Sequence, residues 1–249
     1  MIWGAELEHE LVGLGTPRRY ASGTCLAHCL HRPPIVRRIT AGQVDVFVHI
    51  PGGTAHVSRA EDGAILGVHS NLYANEQPHI CWKAVSHVEC HEILWSDIKS
   101  RCKENSRMDG ILQRIGQIQH YSIVLAAHPV FSILDMHTRS RIFDHATVRM
   151  LAPGEHLIHK HGKRSHLYLL VTGKVSIRPE NQAPIMLESG DILGEISLFG
   201  YSPEPTADAV ADSFSEIIEF LDADMIKTMR SNQSFRQAMT DLIERRISV

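Results

Sequence analysis

The densest concentration of chemistry-bearing residues is the segment Ser189–Ala211, SGDILGEISLFGYSPEPTADAVA. It opens on a Gly190-Asp191 turn and runs through Ile192-Leu193 to a second glycine, Gly194. A short apolar, helix-like piece follows (Ile196, Leu198, Phe199), then a proline-broken loop, then Ala207-Asp208-Ala209-Val210-Ala211. A glycine that opens a short helix lets backbone N–H groups point at an anion. The side chains add no positive partner, because Gly194 to Ala211 holds neither Lys nor Arg and its charges are Glu195, Glu204 and Asp208. A second group is His159-Lys160-His161 with His166. Three imidazoles are a ligand set for Zn²⁺ or another divalent ion, and on a strand His159 and His161 share a face. The cluster Cys25, His28, Cys29, His31 lacks the second ligand pair that a structural zinc site requires, and reads as strand and loop. No Ser-His-Asp or Cys-His nucleophile spelling, Walker loop or GxGxxG stands out, so catalysis is not expected.

The elements that position these residues read as one unit written twice. Val44, Val46, Val48 and Ile50 alternate with Gln43, Asp45, Phe47 and His49, the period of a strand. Pro51-Gly52-Gly53 breaks it as a turn, and Ala55 to Ala60 returns. One interval separates Ala21-Ser22-Gly23 from Ala152-Pro153-Gly154 and Ala41-Gly42-Gln43-Val44 from Thr172-Gly173-Lys174-Val175. Past the hairpin the interval shortens, so Gly67 aligns with Gly194, Pro78 with Pro205, Ala84 with Ala211, and Glu92 with Glu219. An ordered internal repeat means one supersecondary unit built twice, with the longer hairpin in the first copy. Between the copies the period changes to 3.6: Met108, Ile111, Leu112, Ile115 and Ile118 predict a helix over Asn105–Ile118. A further helical piece is expected over Pro129–Phe143, and a partial one over Met1–Leu14. Ser231 or Asn232 caps a last helix in which Phe235, Met239, Leu242, Ile243 and Arg246 line one face.

The motifs Pro153-Gly154-Glu155, Leu167-Tyr168, Thr172-Gly173-Lys174-Val175, Gly190-Asp191 and Gly194-Glu195 together resemble the cyclic nucleotide-binding domain family, the β-roll of the catabolite activator protein and of protein kinase A regulatory subunits. The resemblance implies a mainly β fold with flanking α: two tandem double-stranded β-helix (jelly-roll-like) β-rolls with short helices, one over 1–118 with trimmed N-terminal helices and one over 119–249. It implies that the amides opened by Gly194, with Ile196, meet a cyclic phosphate, that Glu195 accepts from the ribose hydroxyl, and that Ser197 or Thr206, beside Ala207, supplies a small hydroxyl. The family's phosphate-pairing Arg falls on Pro205 in the second copy, or on Glu204 with a shift of one, and neither pairs with a phosphate. In the first copy Gly67 is kept, Val68 replaces the Glu, Pro78 again takes the Arg position, and His79 the hydroxyl position. Both copies thus lose a charge-assisted contact. The pocket is therefore expected either to take a cyclic nucleotide or altered small ligand weakly, or to be kept for interaction alone.

The implied function is regulatory, a sensor or interaction module with no cofactor beyond a cyclic nucleotide ligand. Its output passes through the Asn105–Ile118 and Ser231–Val249 helices, to a protein partner or as a homodimer seam. The spelling Gly, HxH, Gly also resembles cupins, which makes a cupin-like metal-binding protein or enzyme using His159, His161 and His166 the alternative. A net charge of −3 without a basic block, and no helix-turn-helix after the last helix, disfavour nucleic acid. No apolar run reaches membrane-spanning length and no signal pattern opens the chain. Five cysteines without regular spacing suit a reducing, cytoplasmic setting.

Overall fold

The computed structural model describes residues 11, 13–27, 34–73, 79–163, 166–180 and 182–247. Most of the helix read over Met1–Leu14, together with Pro78, His28, Cys29 and His31, lies outside the described residues. The chain divides into two compact units, Met1–Ala127 and His128–Val249. The boundary read at 118/119 falls inside a helix, Ser106–Ala127, and the division comes at that helix's end. The helix continues because no Gly or Pro interrupts it between Ile118 and Pro129, and because Ile123 and Ala126 join the buried interior of the first roll.

Each unit is a roll of two antiparallel four-stranded sheets. In the first, β1 (Thr16–Tyr20), β8 (Val88–Leu94), β3 (Ile35–Ala41) and β6 (Ile65–Leu66) pair in the order β1-β8-β3-β6. Its second sheet runs β2 (Cys25–Ala27), β7 (Ile80–Ala84), β4 (Val44–Ile50), β5 (Gly53–Ala60). The second unit repeats both orders, with β9 (Thr147–Leu151), β16 (Ser215–Phe220), β11 (Leu167–Thr172) and β14 (Ile192–Leu193) in one sheet. The other holds β10 (His156–Ile158), β15 (Asp208–Ala211), β12 (Val175–Arg178) and β13 (Ile185–Leu187). The period of two in β4 does what it predicts: Val44, Val46 and Val48 are buried inside the roll while Asp45 and Phe47 are half-buried. The interior of the second roll is filled by Leu157, Ile158, Tyr168, Leu170, Val175, Ala209, Ala211 and Ile217.

Both rolls end in the same helical device. Trp95–Glu104 gives way at Asn105 to Ser106–Ala127, and Asp222–Ser231 gives way at Asn232 to Gln233–Ile247. The Asn105 Oδ1 accepts from Met108 N at 3.1 Å and the Asn232 Oδ1 from Phe235 N at 2.9 Å, capping otherwise orphaned helix amides. Asn232, one of the two caps read from the sequence, is thus the residue used. Most of the apolar face of each helix is covered within its own unit, while Ile118 stays exposed. Met108, Leu112 and Ile115 pack into the first unit, and Phe235, Met239 and Ile243 are fully buried in the second. Phe131 packs against Phe220 (ring centroids 4.9 Å) and Phe235 (6.0 Å), which fixes the last helix to the lead-in segment. That segment, read as one helix over Pro129–Phe143, is split into a 3-10 turn at Phe131–Ile133 and a helix Met136–Asp144, because the Asp135 side chain caps a new start at Thr138 N (2.9 Å). Among the described residues no helix is long and apolar enough to cross a membrane.

Candidate functional site

In the second unit, β14 delivers the chain to Gly194, whose φ of 83° only glycine adopts without strain. The helix that follows is four residues long, Glu195–Leu198. Glu195 is 2% exposed, an unusual place for a carboxylate without a partner. Its partner is Arg246, on the last turn of the Gln233–Ile247 helix: the guanidinium NH1 donates to Glu195 Oε1 at 2.7 Å and to the Ile192 carbonyl, and NH2 lies 3.6 Å from Asp191 Oδ1. Tyr201 Oη contacts Thr240 Oγ1 of the same helix at 3.4 Å. The residue read as the ribose acceptor is therefore engaged by the chain's own last helix.

The repeat gives this contact a counterpart. Gln119 stands where Arg246 stands in the second copy, and Val68 where Glu195 stands. Gln119 Nε2 donates to the Ile65 carbonyl at 2.6 Å, the equivalent of Ile192, and its Oε1 accepts from His69 N at 3.0 Å. One helix-to-loop bolt is thus built twice, neutral in the first unit and ionic in the second. The sequence reading missed Arg246 as a site residue. The signal was available, since Val68/Gln119 and Glu195/Arg246 change charge as pairs at repeat-equivalent positions.

The other expected residues scatter. Ser197 is buried, with Oγ 3.4 Å from the Gly194 carbonyl, and Ile196 is half-buried. Thr206 is exposed and Ala207 half-buried. Pro205 is buried, and its carbonyl accepts from His161 N at 3.1 Å. Glu204 Oε1 meets His161 Nδ1 at 2.5 Å. In the first unit Gly67 keeps the positive φ (92°), with a would-be Cβ 2.7 Å from the Ile35 carbonyl; Val68 is buried and His79 exposed.

The three histidines of the cupin-like reading do not come together. β10 ends at Ile158, and His159 to Gly162 is a turn closed by Gly162 N to the His159 carbonyl at 3.0 Å. His161 takes a φ of 55°, so the strand rule that put it on one face with His159 does not apply. His161 goes to Glu204, and His166 Nδ1 goes to Asp222 Oδ1 at 2.6 Å. His159 turns instead towards Asp208, 3.9 Å away.

One further histidine ties the segment down. His128 is buried, and its Nδ1 accepts from Val130 N (3.1 Å) and Phe131 N (3.4 Å), so Nε2 carries the proton and donates to the Gly190 carbonyl at 2.8 Å. Burial pushes its pKa below the ordinary 6.5, and the Gly190 carbonyl and Asp191 only partly offset this. The unfolded chain then binds a proton that the folded one refuses, so stability falls as pH drops below about 6.5. Thermal melts at pH 7.5 and 5.5 are expected to show a loss in wild type that His128→Gln reduces. An equal loss in both would remove His128 from this role.

Residues 148–232 match the family model of the cyclic nucleotide-binding domain. A search of curated proteins finds no match. Among solved structures, the chain is similar to the regulatory domain of Toxoplasma gondii PKA with cAMP, at 15% identity over 99% of this chain and 90% of that one, TM-score 0.43. It is also similar to the regulatory subunit of a cAMP-independent protein kinase A from Trypanosoma brucei (16%, 97% and 90%, TM-score 0.38). The sensor domain of the transcriptional regulator DNR from Pseudomonas aeruginosa is similar at 18% identity over 49% of this chain and 90% of that domain, TM-score 0.45.

Proposed function

We propose that this chain, whose residues 148–232 belong to the cyclic nucleotide-binding domain family, is a non-catalytic regulatory protein whose second roll no longer reads a cyclic phosphate. One observation carries the reading: the pocket carboxylate, Glu195, is held by Arg246 of the last helix, and the loop beyond it offers no cation. The charges carried by that loop are Glu195, Glu204 and Asp208, with no guanidinium among them. Losing one buried charged contact costs about 3 kcal/mol, roughly two orders of magnitude in affinity. The family's two levers, the loop and the closing helix, are kept. The Glu195–Arg246 contact joins them, and a partner that takes either one away moves the other. Because most of each apolar helix face is covered within its own unit, that partner reads the polar side of the helix or the loop.

The test is thermal unfolding with and without cyclic AMP, cyclic GMP and cyclic dinucleotides, since a ligand that binds only the folded state raises the midpoint. No rise with any of them is expected. A saturable rise that disappears in Glu195→Ala would overturn the proposal, and its further loss in Arg246→Ala would make Arg246 the substitute phosphate cation.

A further inference from the structure

At the exit of the Gly194 segment, the second roll carries a group of side chains whose placement has a backbone cause. β10 and β15 pair His156 with Val210 and Ile158 with Ala209, so β10 spends one extra residue, a β-bulge at Leu157. Leu157 and Ile158 consequently both face the roll interior, which alternation forbids in a regular strand. The residues on either side of the bulge, His156 and His159, are thereby turned to the same outer face. Asp208 reaches that face too, because Ala209 and Ala211 of β15 point inwards. The two imidazole rings stack with centroids 4.6 Å apart and planes 10° from parallel. Each Nδ1 lies 3.9 Å from Asp208 Oδ1, and one ligand atom from each of the three residues falls within 4.8 Å of the others.

We infer that His156, His159 and Asp208 form a binding site for a borderline divalent transition-metal ion of the Zn²⁺ class. Two imidazole nitrogens and one carboxylate oxygen suit Zn²⁺, Ni²⁺ or Co²⁺ and not the all-oxygen shells of Mg²⁺ or Ca²⁺. Around one tetrahedral ion with bonds of about 2.0–2.2 Å, ligand atoms sit roughly 3.3–3.6 Å apart. The 3.9 Å separations close to that by small rotations of two rings that are 41% and 70% exposed and free to turn. Asp208 Oδ1 is already oriented by the Lys160 N–H at 2.9 Å, the kind of outer hydrogen bond that fixes a ligating carboxylate. Three protein ligands leave one position for water or a donor from a partner. Asp208 follows Thr206 and Ala207 directly, so a bound ion staples the exit of the Gly194 segment to β10. The same bulge recurs in the first roll, where Cys25 pairs with Lys83 and Ala27 with Trp82. There Cys25 and Cys81 take the positions of His156 and Asp208, so the ligand-type chemistry at these two positions is present in both copies.

The test is a Zn²⁺ titration of the full chain against a chromophoric competitor, in a Cys25→Ser/Cys81→Ser background that removes the two thiols at the equivalent first-roll positions. One saturable site is expected, with affinity falling at least about tenfold in each of His156→Ala, His159→Ala and Asp208→Asn. The three positions are at the surface, so melts without metal confirm that the variants fold, and Zn²⁺ raises the midpoint of the background protein but not of the variants. His137→Ala, an exposed histidine on a helix, is the control and leaves the affinity unchanged. Unchanged affinity in the three site variants, an equal loss in His137→Ala, or no saturable site would each overturn the assignment.

Discussion

Arg246→Ala is expected to lower the unfolding midpoint of the second unit by about 10 °C, whereas the double variant Glu195→Val/Arg246→Gln is expected to stay within a few degrees of wild type. The single change leaves the Glu195 carboxylate, 3% exposed in its side chain, without its counter-charge, and removes the N–H that the Ile192 carbonyl accepts. Breaking one side of a buried pair costs about 3–5 kcal/mol. Arg246 is 25% exposed, so water partly replaces it and the lower end applies; at about 4 °C per kcal/mol for a unit of this size this gives roughly 10 °C. The double variant writes the first unit's solution into the second. A valine in place of Glu195 has no charge to strand, and a glutamine in place of Arg246 reaches the Ile192 carbonyl as Gln119 reaches that of Ile65. A double-mutant cycle then reports a coupling of about 2 kcal/mol. Strictly additive losses would mean that Arg246 acts through packing and not through Glu195, and the closing-helix reading would lose its support.

The sequence carried the second roll's glycines and the first roll's alternating strand because their causes are local. Gly190 and Gly194 need a left-handed backbone wherever the chain turns so tightly, and the period of two in β4 follows from side chains alternating across a pleat. Asn232 was legible for the same reason, since a cap bonds three residues on. Arg246 was signalled only by its paired charge change with Glu195 across the repeat, because its partner lies 51 residues away and only the closed roll brings them together. The histidines failed for a different reason. Alternation assigns faces only along a strand, and β10 ends at Ile158, so His161 lies in a turn with a φ of 55° while the bulge at Leu157 sets His156 and His159 on one face. Equal attention to His159 and His161 therefore picked the wrong pair, and the neighbour that shares a face with His159 is His156. The apolar helix faces were correctly identified as faces, but periodicity does not say what covers them.

Glu92→Ala is expected to destabilise the first unit by about 3 kcal/mol, while Glu219→Ala, at the equivalent position of the second, costs about 1 kcal/mol or less. The two carboxylates occupy one place in the repeat, so the difference rests on their cations. Glu92 Oε1 accepts from Arg37 Nε at 2.8 Å and NH2 at 2.7 Å and from the Tyr20 hydroxyl, with Arg18 Nε 3.5 Å from Oε2. Arg37 is 5% exposed in its side chain, its guanidinium lies 5.5 Å from the Trp82 ring, and its NH1 is buried without a hydrogen-bond partner. Removing Glu92 strands that cation in the roll, with only ring faces to offset it. In the second roll Tyr168, whose hydroxyl pKa burial pushes up to about 12, stands in the place of Arg37. Glu219 is left with Arg149 at 3.0 Å and His166 Nε2 at 3.9 Å, which are 38% and 45% exposed and return to water when their partner goes. The pH dependence separates the same effects. Burial raises the Glu92 carboxyl pKa, but the Tyr20 bond and the Arg37 charge outweigh it and hold the group below its ordinary 4.5. The contribution is therefore present above about pH 4.5 and lost as pH falls through the lowered value, an acid limb that Glu92→Gln flattens. Equal losses in the two alanine variants would mean that the carboxylates serve packing alone, and that burial of Arg37 does not set the size of the effect.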